Sequence, residues 1–379
     1  MEDIVSGFKS IYDYAPEAVC FAPGRINLIG EHTDYNGGLV LPCAIQLGIQ
    51  CAGARNRDKK LRFYSTDYPE EGIIDYPLHS PELRGCWADY PVSVVRAAAS
   101  LGYSLDSGAD FYISGDLPEG AGLSSSAALE AATGVMLRTL FSIPLTQQVL
   151  ALLGQFAENR FIGVNCGIMD QFVCAMGKAG HALLLDTNTL SFNTVPLRNA
   201  APVIVNSGVK HSLAASAYND RRRECETARG YLSVPSLCSL TPEELEKRLH
   251  MIPDEICRKR ARHAVYESER ARLGAEALYR GDLHSFGQLM NLSHASLRND
   301  FEVSCEELDF LAETAQGLPG VYGSRMTGGG FGGCTVSLLE PEEVDNFVSA
   351  IRKAYFSRYG KEPDVYPVSA VDGAVSTFP

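Results

Sequence analysis

No apolar stretch in this sequence approaches the roughly 20 residues needed to cross a bilayer, so a helical membrane span is excluded. Positive charge is scarce: 33 Lys and Arg face 46 Asp and Glu, a net charge of −13. That balance argues against nucleic acid as the main partner. Cysteine pairs are missing too. The 11 cysteines lie singly between Cys20 and Cys334 with no Cys-x-x-Cys, which excludes a disulfide framework and reads as reduced core thiols. The start, Met1-Glu2-Asp3, lacks the basic and apolar regions of a signal peptide, and a cytoplasmic protein is expected. There is no low-complexity tract and no repeat of fixed period. What remains is a soluble globular composition, 45% hydrophobic and 21% charged, over 379 residues. That length fits two domains.

The chain is organised around Gly115 to Leu140, GDLPEGAGLSSSAALEAATGVMLRTL. Asp110 to Ile113 has the aromatic and β-branched composition of a strand. Pro118, Gly120 and Gly122 then punctuate a loop, and Ser124, Ser125 and Ser126 are hydroxyl residues suited to a helix start. From Ala127, Leu129, Ala132, Met136 and Leu140 recur at helical spacing. A helix start offers free N–H groups and partial positive charge, and glycines allow a ligand to come close. Those are conditions for cradling a phosphate, and serine hydroxyls add oxygen ligands for phosphate or Mg²⁺. No Gly-Lys-Ser/Thr follows, so this is not a Walker A loop. The bland alternative is an ordinary connection with a serine cap.

Ala15 to Ile49 is the second informative stretch. Between two strand-like ends lie Arg25, Asn27, Glu31, His32, Asp34, Tyr35 and Asn36, with Gly24, Gly30, Gly37 and Gly38. Carboxylates, imidazole and amide on short arms suit the recognition of several hydroxyls. A metal site on Glu31, His32 and Asp34 would be cramped and has no second histidine cluster behind it. Thr146 to Phe161 reads as a helix, with Glu158 near its end on what would ordinarily be a solvated face. Asp170 follows Gly167 in the first turn of another, where an Asp commonly just matches the helix dipole. Arg221-Arg222-Arg223 precede Glu224 and Glu226, the pattern of a salt-bridged helix face. Gly328 to Gly333 formally contains G-x-G-x-x-G but leads into the strand Cys334 to Leu339, so it fails as a dinucleotide fingerprint. Helix dominates after about residue 200, which points to a second domain there.

Three of these stretches together resemble the GHMP small-molecule kinases: the loop from Pro118 to Ala127, the segment from Met326 to Cys334, and the first polar stretch. Gly24 to Asn36, GRINLIGEHTDYN, is similar to the signature of the family's galactokinase branch nearly residue for residue. Further similar blocks lie at Cys166 to Gln171, Lys210 to Arg223 and Ser296 to Cys305, so the likeness spans nearly the whole chain. Ala121 departs from it, standing where many relatives carry a third loop glycine. A Cβ is tolerated there if the residue does not need positive φ.

The resemblance implies an α/β (α+β) fold of two domains with the active site in their cleft. The first, at 1–190, would be a mixed sheet with helices. The second, at 191–360, would be ferredoxin-like, and the tail 361–379 would return to the first. It also implies transfer of the ATP γ-phosphate to the anomeric hydroxyl of α-D-galactose. Alternatives are a kinase for N-acetylgalactosamine or a non-catalytic galactose sensor. A monomer is expected. Gly120, Ala121, Gly122, Leu123, Ser124, Ser125 and Ser126 would wrap the ATP phosphates. Ser126 and Glu158 would hold Mg²⁺, a hard cation that prefers oxygen. Asp170 would sit at the reacting hydroxyl as base or orienting acceptor, two roles between which helix dipole and burial pull oppositely. Arg25 would lie between Asp170 and the γ-phosphate. Glu31, His32, Thr33, Asp34, Gly167 and Tyr218 would bind the sugar.

Overall fold

A computed structural model describes residues 3–79, 81–118, 121–209 and 214–377. Helix α1 (Ile4–Tyr12), capped by the Asp3 carboxylate, precedes strand β1 (Ala18–Asn27). Strands β2 (Leu39–Val40), β3 (Pro42–Asn56), β4 (Lys60–Ser65) and β5 (Ile74–Pro77) follow, then α2 (Asp89–Ser100) and β6 (Gly108–Gly115). Helices α3 (Ser125–Phe141), α4 (Gln147–Ala157) and α5 (Met169–Met176) come next, then β7 (His181–Asp186) and β8 (Phe192–Pro196). The second half runs β9 (Ala201–Asn206), α6 (Ala214–Leu232), α7 (Pro242–Arg248), α8 (Glu255–Arg280) and α9 (Leu283–Ser296). It closes with α10 (Glu306–Gln316), β10 (Val321–Thr327), β11 (Cys334–Leu339), α11 (Val344–Tyr359), β12 (Asp364–Pro367) and β13 (Val375–Thr377).

The large sheet has the order β13-β1-β3-β6-β4-β5. Among the described residues only β4 and β6 run parallel in it, a pairing that needs a crossover, and β5 with α2 provides it. Strand β1 is buried along nearly its whole length because both faces of the sheet are covered. On one side α1 packs Phe8 against Val19, Ala52 and Tyr112. On the other, Ala128, Ala132, Val135 and Met136 of α3 join Cys20, Cys51, Phe111 and Phe172 in the main core. Covered on both faces, these strands carry long apolar runs instead of strict alternation.

The second sheet has the order β10-β11-β9-β12. Counted within this half alone, that is 2-3-1-4 in a β-α-β-β-α-β chain, the ferredoxin-like arrangement expected. Helix α11 covers it through Phe347, Ile351 and Tyr355, while α8 and α9 lie nearer the first half through Ala271, Phe286 and Met290. A small third sheet, β2-β7-β8, sits between the two. The β7–β8 hairpin turns between Asp186 and Phe192, so a division at residue 190 would cut it. The tail divides as well. Strand β12 stays beside β9, whereas β13 pairs with β1 at Val19 to Phe21, so only the last part of 361–379 returns to the first sheet.

Candidate active site

Strand β1 ends in the site. Its register against β3 is irregular between Pro23 and Arg25, where the backbone N–H of Arg25 turns to the Leu123 carbonyl (3.1 Å). The buried Arg25 guanidinium then forks onto Asp170 in the first turn of α5. Nε donates to Oδ1 at 2.8 Å and a terminal nitrogen to Oδ2 at 2.6 Å. Its other terminal nitrogen donates to the Gly122 carbonyl (2.6 Å), so one side chain ties the loop to Asp170. Such a bidentate pair fixes angle as well as distance. Ser124 caps α3 in the left-handed region (φ 66°), and its hydroxyl bonds Asp170 Oδ2 at 2.5 Å in place of a helix N–H. A non-glycine residue held there stores of order 1–3 kcal/mol. The hydroxyl is thereby aimed at the carboxylate.

Opposite lies the polar loop of residues 30–38. Glu31, His32 and Asp34 line a cavity of about 480 Å³ with Arg25, Asp170, Gly167, Tyr218, Ser126, Glu158 and Gly328–Phe331. Glu31 Oε1 accepts from the Gly328 N–H (2.7 Å) and the Thr327 hydroxyl (3.1 Å). His32 has φ 60°, bonds the Tyr35 hydroxyl through Nδ1 (2.9 Å) and stacks near Tyr218 and Phe301. Burial, and then neighbouring His263, bring its pKa down to about 3, so the ring is neutral. Burial, and then Asp170, push the Asp34 carboxyl up to about 7. A Cβ on Gly167 would fall 1.7 Å from Asp34 Oδ2, so only glycine leaves room for that carboxyl.

At the other end Glu158 begins a π-helical turn, 158–162, that extends α4. The widened turn carries the carboxylate inward and buries it, which corrects the solvated face assigned from local sequence. Its Oε1 lies 3.4 Å from the Ser126 hydroxyl, and Gln171 Nε2 donates to Oε2 at 2.6 Å. The same Gln171 nitrogen reaches Glu130 Oε2 at 3.1 Å. Burial, and then Asp170, raise the Glu158 pKa. Burial, and then Glu158, raise that of Glu130 well above the usual range. Among the described residues no group of three or more His, Cys, Asp or Glu side chains is placed to cage a metal.

Some sequence candidates fall elsewhere. Thr33 does not line the cavity, because its buried hydroxyl donates to the Gly30 and Leu39 carbonyls (2.9 and 2.8 Å) and shapes the loop. Ala121 and Leu123 point into the core beside Ile26, and Ser125 is exposed at the first turn of α3. Positive φ in the loop falls on Gly122 and Ser124, not on Ala121, which accounts for a methyl there. Gly120 and the residues Lys210 to Leu213 lie outside the described residues. Arg222 and Arg223 pair with Glu226 and Asp220, as the charge pattern suggested. Glu130 and Gln171 carry no functional signal in the sequence beyond placement: a glutamate on an otherwise apolar α3 face and a glutamine beside Asp170.

The comparisons with known proteins agree with this geometry. Residues 89–178 match the family model described as GHMP kinases N terminal domain, and 275–357 the one for GHMP kinases C terminal. Mevalonate kinase from Methanococcus jannaschii shares the fold: TM-score 0.68 and 18% identity over 94% of this chain and 99% of that one. Fold and cleft together thus define a kinase of the GHMP class. Residues 6–55 match the galactokinase galactose-binding signature. Galactokinases of Lactiplantibacillus plantarum and Fusobacterium nucleatum are each 45% identical, covering 98% and 99% of this chain and the same shares of their own. The structure of Lactococcus lactis galactokinase complexed with galactose aligns with TM-score 0.95 and 40% identity over 98% of both chains. The chain belongs to the galactokinase family.

Proposed function

We propose that this enzyme transfers the γ-phosphoryl group of ATP to the anomeric hydroxyl of α-D-galactose. The observation that carries the reading is the meeting of Glu31, His32 and Asp34 with the Arg25–Asp170 pair across one cavity. The division of labour follows from the elements. Glu31, neutral His32, Asp34 and the Gly167 backbone hold the sugar hydroxyls, with Tyr218 closing the side. The α3 loop, residues 120–126, takes the ATP phosphates on backbone N–H groups.

In the reaction the anomeric oxygen bonds to Pγ, the Pγ–O bond to ADP breaks, and the hydroxyl proton passes from the sugar to Asp170. Phosphoryl transfer is catalysed mainly by alignment and charge stabilisation. Asp170 accepts the reacting O–H. Of the bonds described, Oδ1 takes one and Oδ2 two, so Oδ1 is the oxygen with room for it. Arg25 fixes that carboxylate and presents permanent positive charge beside the γ-phosphate. Ser126 and Glu158 fit Mg²⁺: both offer oxygen, and among the described residues no cation pairs with the buried Glu158 carboxylate. Two protein oxygens suit a Mg²⁺ held chiefly by phosphates and water. When bound, the ion would neutralise charge on the ATP phosphates.

The test is a sugar panel with Mg-ATP. Galactose is expected to be phosphorylated far faster than glucose, by up to ~10⁴-fold in kcat/KM, because buried polar groups reject an epimer that leaves them unpaired. Chelation should abolish the rate and Mg²⁺ restore it. Equal kcat/KM for the two sugars, or a preference for N-acetylgalactosamine, defeats the proposal.

A further inference from the structure

Helix α8 lies in the second half of the chain, outside every motif that marks the site, yet three of its residues face the sugar loop. Glu267 is fully buried, and its Oε1 accepts the backbone N–H of Gly30 (2.9 Å) and of Glu31 (3.3 Å). One turn earlier, His263 Nε2 meets the Glu31 carbonyl at 3.1 Å. Ser268 takes the Leu39 N–H at 3.0 Å, where the loop ends. Both backbone polar groups of Glu31 are therefore held by α8. On the side chain, Oε1 is held by Thr327 and Gly328 at the end of β10, with Arg325 3.4 Å away. Oε2 is the oxygen these contacts do not use.

Consecutive N–H groups converging on one carboxylate oxygen form an anion nest, which requires unusual backbone around it. Gly30 has φ 100° and His32 φ 60°, and a Cβ on Gly30 would lie 2.7 Å from the Leu39 carbonyl. The loop adopts this shape around Glu267. Glu267 is itself fixed: the Ser293 hydroxyl of α9 donates to Oε1 at 2.5 Å and Arg270 Nε to Oε2 at 2.6 Å. A buried carboxylate costs desolvation and is retained only where its bonds repay it, and an apolar residue here would orphan two buried N–H groups.

We propose that Glu267, anchored by Ser293 and Arg270, is the positioning residue that sets sugar binding by presenting Glu31 to the cavity. The inference rests on the sugar-site reading above. It means that recognition of the sugar is set from the second half of the chain, while the Arg25–Asp170 pair and the phosphate loop sit on the first.

Steady-state kinetics test it on the full chain. Glu267→Gln keeps the shape but loses the charge, and should raise the galactose KM about 10-fold, near the lower limit for one lost charge-assisted hydrogen bond. The ATP KM should stay within about twofold, a split that general loosening would not give. Ser293→Ala, which removes one bond and leaves the carboxylate, should raise the galactose KM about threefold. Glu31→Gln should also raise it, and the Glu31→Gln, Glu267→Gln double variant should be little worse than Glu31→Gln alone, because both act through one carboxylate. Parallel rises in both KM values, or a double variant whose loss is the product of the single losses, overturns the inference. If Glu267→Gln does not fold, Ser293→Ala decides alone, and an unchanged galactose KM overturns it. A Glu31→Gln variant with unchanged galactose KM instead overturns the sugar-site reading.

Discussion

Asp170 and Asp34 face one cavity with opposite surroundings, and their chemistry divides accordingly. Asp170 is gripped by a guanidinium fork and a serine hydroxyl. Asp170→Asn keeps its size and reach but cannot carry charge or accept a proton. The kcat should fall by at least ~10²-fold, the lower range for lost acid–base assistance, with galactose affinity by calorimetry little changed. A variant retaining a tenth of wild-type kcat would remove Asp170 from the chemistry. Among the described residues no cation pairs with Asp34, Arg25 acting on it only from a distance, and burial, then Asp170, lifts its pKa from 3.8 to about 7. Folded Asp34 therefore holds a proton between about pH 4 and 7 that the unfolded chain has lost. The sugar-free protein loses stability across that window as pH rises. Sugar hydroxyls donating to the carboxylate favour its ionised form, so binding expels the proton. Galactose affinity should strengthen from pH 5.5 to about 7 and then level off, and Asp34→Asn should abolish the slope. Affinity that is flat or weakens over that range in the wild type would contradict the assignment.

Elements were largely legible where local pattern and tertiary role agree. The α3 periodicity, Asp170 in the first turn of α5 and the glycine run entering β11 all stand as the sequence suggested. Legibility failed where a side chain leaves its local role. Ser124 has the residue type of an N-cap, but its hydroxyl serves Asp170, 46 residues away. Glu158 would be solvated on a regular α-turn, and the π-turn at 158–162 is what brings it inside. Thr33 belongs to the similar motif yet spends its hydroxyl on loop carbonyls, because a five-residue polar run cannot aim every side chain at one ligand. Glu267 and His263 were hidden for a further reason. On a long helix rich in Arg and Glu, a buried carboxylate has the same local signature as its half-buried neighbour Glu269 and its exposed neighbour Glu276.

The two halves are stitched by the end of the chain, which returns to the elements carrying Arg25 and Asp170. After β12 the Val368 N–H bonds Pro202 in the second half, and two residues later Ala370 bridges Ile45 in the first. Gly373 and Ala374 then donate to Gly177 (2.9 Å) and Cys174 (2.8 Å) around the end of α5, and β13 pairs with β1. Gln147 clamps the crossing, bonding the Ala175 and Ala374 carbonyls at 2.8 Å each. A Cβ on Gly373 would lie 2.2 Å from the Ala175 carbonyl, a backbone atom with nowhere to go. Gly373→Ala must therefore push this strap off α5. Overpacking of this kind costs about 1–3 kcal/mol, and at about 1.3 °C per kcal/mol for 379 residues unfolding together Tm should drop by roughly 1–4 °C. Because the strap braces β1 and α5 together, displacement should also loosen the Arg25–Asp170 pair, lowering kcat more than either KM changes. Truncation after Asp372 should have the same pattern with a larger fall in Tm. If Gly373→Ala melts with the wild type and keeps its kcat, the strap is a passive tail and the catalytic pair is held by the lobe core alone.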